Sequence, residues 1–266
     1  MESKINRYSK QLILINSLFI LVWLVISVFP FIWTFWGSFK VKADFFSRAD
    51  WMFAVTGVNT LIETGDTSTV KAYVESWTEG EFWKATMNTI IITVSVVTIS
   101  LFLGTLGAYA LSRSTYKYTF WILIAALIFR AMPHITLVSG YLFPFFQLNV
   151  WGILPTTIIV LVAINQPFTL WLLYSFFKTV PKELDESALI DGCSYFQAFR
   201  YVIMPVMWPG VVTAGLFSMM LAYNDFTVTS LLLNQQNYTM VPKINAYLGT
   251  IEHSGNYMWA VSSVVS

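Results

Sequence analysis

Of 266 residues, 56% are hydrophobic and 17% aromatic, whereas only 29 carry a charge, 15 basic and 14 acidic. A soluble domain of this size has about a quarter charged residues, so the chain lacks the polar surface of a globule in water, and its bulk belongs in lipid. A single cysteine, Cys193, excludes a disulfide scaffold, and a net charge of +1 offers no footing for nucleic acid.

Crossing a hydrocarbon core takes roughly 20 mostly apolar residues. In chain order, a polar N-terminal stretch, 1–10, precedes a first span at 11–36; a loop at 37–84 follows, then spans at 85–111, 119–143, 152–177 and 206–233. A sixth span begins near Asn256 and stops with the chain at Ser266, about half the length it needs, so the expectation is a truncated C-terminus. Of the 29 charges, 27 fall outside these spans, and Arg130 and Asp225 are the two inside. The fold class expected is therefore an all-α polytopic membrane protein of six transmembrane helices, the sixth incomplete. Segments 1–10, 112–118 and 178–205 hold eight Lys/Arg in 45 residues, against six in the 78 residues of the alternate set. The positive-inside rule then places the N-terminus in the cytoplasm and 37–84 outside. The first span is too long for a removable signal peptide and lacks a small-residue cleavage pattern.

The loop 179–205 is the most informative segment. Pro181 suits a first helical turn, and Glu183, Asp185 and Glu186 set negative charge at the positive end of the helix dipole. A helix from Pro181 to about Asp191 is expected, stopped by Gly192 in a left-handed conformation. Ser194 and Gln197 have the spacing of a capping box, which opens a second short helix before Pro205 and Pro209 shape entry to the fifth span. Such a helix–glycine–helix knob either docks another protein or merely joins two spans.

Glu186-Ser187-Ala188, three residues, Gly192, nine residues, then Val202-Ile203-Met204-Pro205 resembles the EAA signature of permease subunits of ATP-binding-cassette importers, with the first Ala, the Ile and the Leu of that signature replaced by Ser187, Val202 and Met204. Pro167 through Leu173, Phe176-Phe177, Val180-Pro181-Lys182-Glu183-Leu184, Arg130-Ala131-Met132-Pro133 and Asn224-Asp225-Phe226 resemble further signatures of the carbohydrate branch, the maltose and multiple-sugar permeases, although Tyr223 stands where Trp is usual. The resemblance implies the type I importer permease fold, with 85–266 as its core and 179–205 as the coupling loop, and a cell inner-membrane location. It also implies a second permease subunit, two ATPase subunits that bind ATP and Mg, and an extracytoplasmic solute-binding protein, with no cofactor in this chain. Carried onto this sequence, the coupling residues are Glu183, Asp185, Glu186, Ser187, Ala188, Asp191, Gly192 and Pro205. Glu186 would supply charge at the joint with the ATPase, Ala188 would allow close approach and Gly192 would turn the knob. No G-x-x-x-x-G-K-[ST] loop is present, so ATP hydrolysis is expected in a partner rather than here.

Ionisable groups at membrane depth are costly and point to function. Arg130 and Asp225 either pair across the pathway or each bind backbone carbonyls where Pro133 or Gly215 loosens a helix. Asn165 and Gln166, with Asn224, are candidates for sugar hydroxyls in a fourth span broken at Pro167, or they satisfy the carbonyls that proline frees. Two distant histidines and one cysteine make no metal site. Gly104, Gly107 and Ala108 allow close helix approach, either within the chain or at a subunit interface. The rival reading is an ion-gradient-driven secondary transporter, which calls for several intramembrane acids or an inverted repeat.

Overall fold

The computed structural model describes residues 2–38, 68–249 and 262–264, and every element among them is helical. The helices are α1 (Glu2–Gly37), α2 (Ser68–Thr78), α3 (Phe82–Arg113), α4 (Thr119–Ala131), α5 (His134–Gln147), α6 (Leu154–Thr179), α7 (Glu183–Ile190), α8 (Tyr195–Ala198), α9 (Met204–Tyr223), α10 (Thr227–Leu232) and α11 (Met240–Gly249). They fall into two compact units, residues 83–243 and residues 1–82 with 244–266. Most of the sixth predicted span and of the loop 37–84 lies outside the described residues.

In the smaller unit, α1 carries a 24-residue apolar stretch, Leu12–Phe35, none of it buried. The Tyr73 hydroxyl donates to Ser38 Oγ at 2.5 Å, and the Tyr247 hydroxyl donates to the carbonyl of Gly80 at 2.7 Å.

In the larger unit, α3 shows why these helices pack. Thr89, Ile92, Val96, Ser100, Gly104 and Ala108 recur every three or four residues and are buried, while Ile91, Val94, Phe102 and Leu103 face outward. Its inward face is small and partly hydroxylated and its outward face large and apolar, the arrangement suited to lipid. At Gly104 an added Cβ would lie 3.1 Å from Thr169 Cγ2, so the small residues of α3 receive α6 within the same chain. Two apolar clusters result. One gathers Ile92, Val96, Val138, Leu161 and Leu232, and the other, toward the 181–205 knob, gathers Ala108, Leu173, Phe177, Phe199, Ile203 and Met207.

Three spans depart from the sequence-based expectation. The third is not continuous: α4 and α5 meet at an angle of 84° across Met132 and Pro133. Pro133 has no N–H to give and disfavours helical geometry in the residue before it, and Met132 accordingly sits at φ −69, ψ 141. The fifth span starts earlier and ends earlier than 206–233. One apolar helical run extends from Tyr195 to Tyr223, and the chain then breaks at Asn224–Phe226 before the separate α10. The fourth is unbroken, since α6 continues through Pro167.

Candidate functional site: the knob and the intramembrane polar layer

The knob forms as its local chemistry dictates. Val180 leaves helical geometry at ψ 120 and ends α6. Then α7 begins at Glu183, two residues later than expected, with Glu183, Asp185 and Glu186 in its first turn. At its end the Cys193 amide donates to the Ala188 carbonyl at 3.0 Å and the Gly192 amide to that of Leu189 at 3.1 Å, while Gly192 holds φ +89. These two bonds make a Schellman cap, whose αL residue is best supplied by glycine. The capping box is also present: Ser194 N–H donates to Gln197 Oε1 at 2.8 Å, and Gln197 N–H donates to Ser194 Oγ at 3.3 Å.

The second knob helix is not a separate piece, contrary to the sequence-based picture. From α8 the chain widens into a π-helical turn, Phe199–Ile203, and runs on as α9 with Pro205 in its first turn. Widening by one residue, with the Met204 amide reaching the Phe199 carbonyl, accommodates a proline that cannot donate. The knob is thereby continuous with a membrane helix.

Its side chains sort into two sets. Glu183, Glu186, Ser187, Asp191 and Gly192 are exposed, together with Ile190 (85%), Tyr195, Phe196 and Tyr201. Ala188, by contrast, is buried within this chain, and Asp185 turns inward. The Tyr109 hydroxyl donates to Asp185 Oδ1 at 2.5 Å, and Arg113 Nη2 lies 2.8 Å from Asp185 Oδ2. Arg113 Nη1 also donates to the Val180 carbonyl at 3.0 Å. Tyr109 and Arg113 were not among the residues singled out from the sequence. A weak signal exists in their spacing of four at the end of α3, which puts both on one face.

Deeper in the larger unit, the polar residues do not pair as charges. Arg130 Nη1 donates to the Ile164 carbonyl at 3.4 Å, and its guanidinium lies 5.9 Å from the ring centroid of Phe168. Asp225 Oδ1 accepts from the amides of Val228 and Thr229 at 2.9 and 3.0 Å, capping α10. Of the two arrangements left open for Arg130 and Asp225, the cross-pathway ion pair is therefore not formed, and the backbone-carbonyl arrangement holds for Arg130 only, because the Asp225 carboxylate is an acceptor and takes backbone amides instead. Asn165 Nδ2 donates to Ser218 Oγ at 2.7 Å and Gln166 Nε2 to the Ser100 carbonyl at 3.5 Å, so both amides tie α6 to its neighbours. Asn165 Oδ1 and Gln166 Oε1 remain buried without a partner. Asn224 Nδ2 bonds the Met220 carbonyl of its own helix at 3.0 Å. Arg130, His134, Asn165 and Asp225 still share the wall of a small cavity, and Arg130 borders a larger cleft of about 580 Å³ inside the α4–α5 elbow, with Phe129, Tyr141 and Phe145.

The described residues form a bundle of apolar helices interrupted by a capped knob that leads straight into a span, and comparison with known proteins makes this a membrane permease subunit of the type I importer fold. The family model described as binding-protein-dependent transport system inner membrane component matches residues 97–266, and the chain belongs to that family. It is 27% identical over 263 residues to a diacetylchitobiose uptake system permease protein of Streptomyces coelicolor, covering 94% of this chain and 80% of the relative. It is 31% identical over 221 residues to the trehalose/maltose transport system permease protein of Thermococcus litoralis, covering 82% and 74%. Among solved structures, a bacterial ABC transporter involved in the import of the acidic polysaccharide alginate superposes with a TM-score of 0.72 at 19% identity, covering 94% of this chain and 90% of that one, and shares the fold.

Proposed function

We propose that this chain is one membrane subunit of an ATP-driven importer that moves a sugar, or a related polyol or oligosaccharide, into the cytoplasm. The family and the sugar permeases among its relatives support that reading. The observation that carries the mechanism is the knob's exposed face, acidic at Glu183, Glu186 and Asp191 and apolar at Ile190, Tyr195 and Phe196, on a turn fixed by two sets of caps. An exposed apolar patch rimmed by charge suits a protein partner. In this proposal the partner is an ATPase pair that binds ATP and Mg, and its closure displaces the knob and the helices rigidly joined to it. A second, non-identical permease completes the pathway, and an extracytoplasmic binding protein delivers the substrate. The chain lies in the inner membrane with its N-terminus in the cytoplasm, and it hydrolyses nothing. Arg130, Asn165, Gln166, Asn224 and Asp225 border the route the substrate takes.

Proteoliposomes that hold the complete transporter test the proposal. Uptake should require ATP and the binding protein, stop with vanadate and ignore an ionophore. Uptake that resists vanadate and collapses with an ionophore would point to a gradient-driven carrier.

A further inference from the structure

The geometry points to Tyr109, Arg113 and Asp185 as a clamp that makes the second span, α3, move with the knob; the inference rests on the coupling role proposed for that knob. By chain connection the knob is continuous with α6 on one side and α9 on the other. Nothing covalent joins it to α3. Asp185 makes that join, because its two carboxylate oxygens face two α3 side chains, the Tyr109 hydroxyl at 2.5 Å and Arg113 Nη2 at 2.8 Å. Arg113 in turn donates to the Val180 carbonyl at the end of α6, so a single guanidinium ties three segments. The Tyr109 ring lies 4.8 Å from that of Phe199 and 5.7 Å from that of Phe177, which fixes the hydroxyl's direction. Exposed ion pairs contribute little, but Asp185 and Arg113 are 13% and 16% exposed, and a largely buried charge that loses its partner is heavily penalised. The pair therefore resists separation when the exposed side of α7 is pushed. These are positioning residues that touch neither nucleotide nor substrate.

The test uses the assembled transporter in proteoliposomes and reads the ratio of ATP hydrolysed to substrate moved. A merely structural lesion lowers both rates together and leaves that ratio unchanged. For Asp185→Asn the ratio should rise about five-fold or more, the low end of ordinary coupling energies, while Asp185→Glu, which keeps the charge, should return most of the coupling. Tyr109→Phe removes one hydroxyl only, and it should raise the ratio by a smaller factor; it carries the test if D185N does not assemble with the ATPase. Glu186→Lys, on the exposed side of the same helix, separates the two claims. If E186K uncouples and neither D185N nor Y109F does, the clamp is wrong and the knob's role stands. If none of them changes the ratio, both are wrong.

Discussion

The chain handles polar groups in two ways at two levels of the larger unit. At the knob, Asp185 meets Arg113 and Tyr109 from a different helix, so charge joins elements distant in sequence. In the layer of Arg130 and Asp225, each ionisable group turns to backbone: Arg130 to the Ile164 carbonyl, and Asp225 to the amides that open α10. The first arrangement locks segments together. The second fixes each group to backbone rather than to an opposite charge, Arg130 to the neighbouring α6 and Asp225 within its own turn. In the proposed function the first is the joint where force enters.

The contrast predicts a ranking of effects. Asp185→Ala should be the most damaging, destabilising the purified protein by roughly 3 kcal/mol, because Arg113 is left buried and unpaired; replacing both members with Leu and Met should cost less than the single change, as unfolding in detergent would report. Gly104→Leu, between the two levels, should cost about 2 kcal/mol by overpacking the α3–α6 contact, with Thr169 Cγ2 already 3.1 Å from the new Cβ position. Asp225→Ala should cost about 1 kcal/mol as a lost cap, with Asp225→Asn milder because Asn also caps. Smallest of all, a double-mutant cycle of Arg130→Met with Asp225→Asn should give a coupling energy of about 1 kcal/mol or less, since the two share a cavity wall but no bond. A large coupling energy there would erase the difference between the two levels.

What was legible in the sequence was what contiguous residues decide. Gly192 as a helix stop and Ser194 with Gln197 as a capping box are local chemistry, and both stand as read. The spans themselves followed from runs of apolar residues, with α1, α3 and α6 close to their expected limits. The end of the fifth span was missed because Leu231-Leu232-Leu233 prolong the apolar run past Asp225, and only the geometry shows α9 ending at Asn224 and the Asp225 carboxylate opening α10. The elbow at Met132–Pro133 was half visible: a proline inside a span loosens the helix, but the direction of the following segment depends on packing. The Tyr109–Asp185 bond spans 76 residues, and no local pattern could join them. Likewise Asp185 and Glu186 are indistinguishable as first-turn acids, yet one turns inward and the other stays exposed.

The proposed function requires that the exposed side of the knob receive an ATPase. Cysteine placed at Ile190, in a Cys193→Ser background, can be labelled with a water-soluble maleimide in the permease alone and in the complete transporter. Labelling should be rapid in the permease alone, as befits a side chain 85% exposed, and strongly suppressed once the ATPase subunits are bound. Equal labelling rates in the two preparations would contradict it.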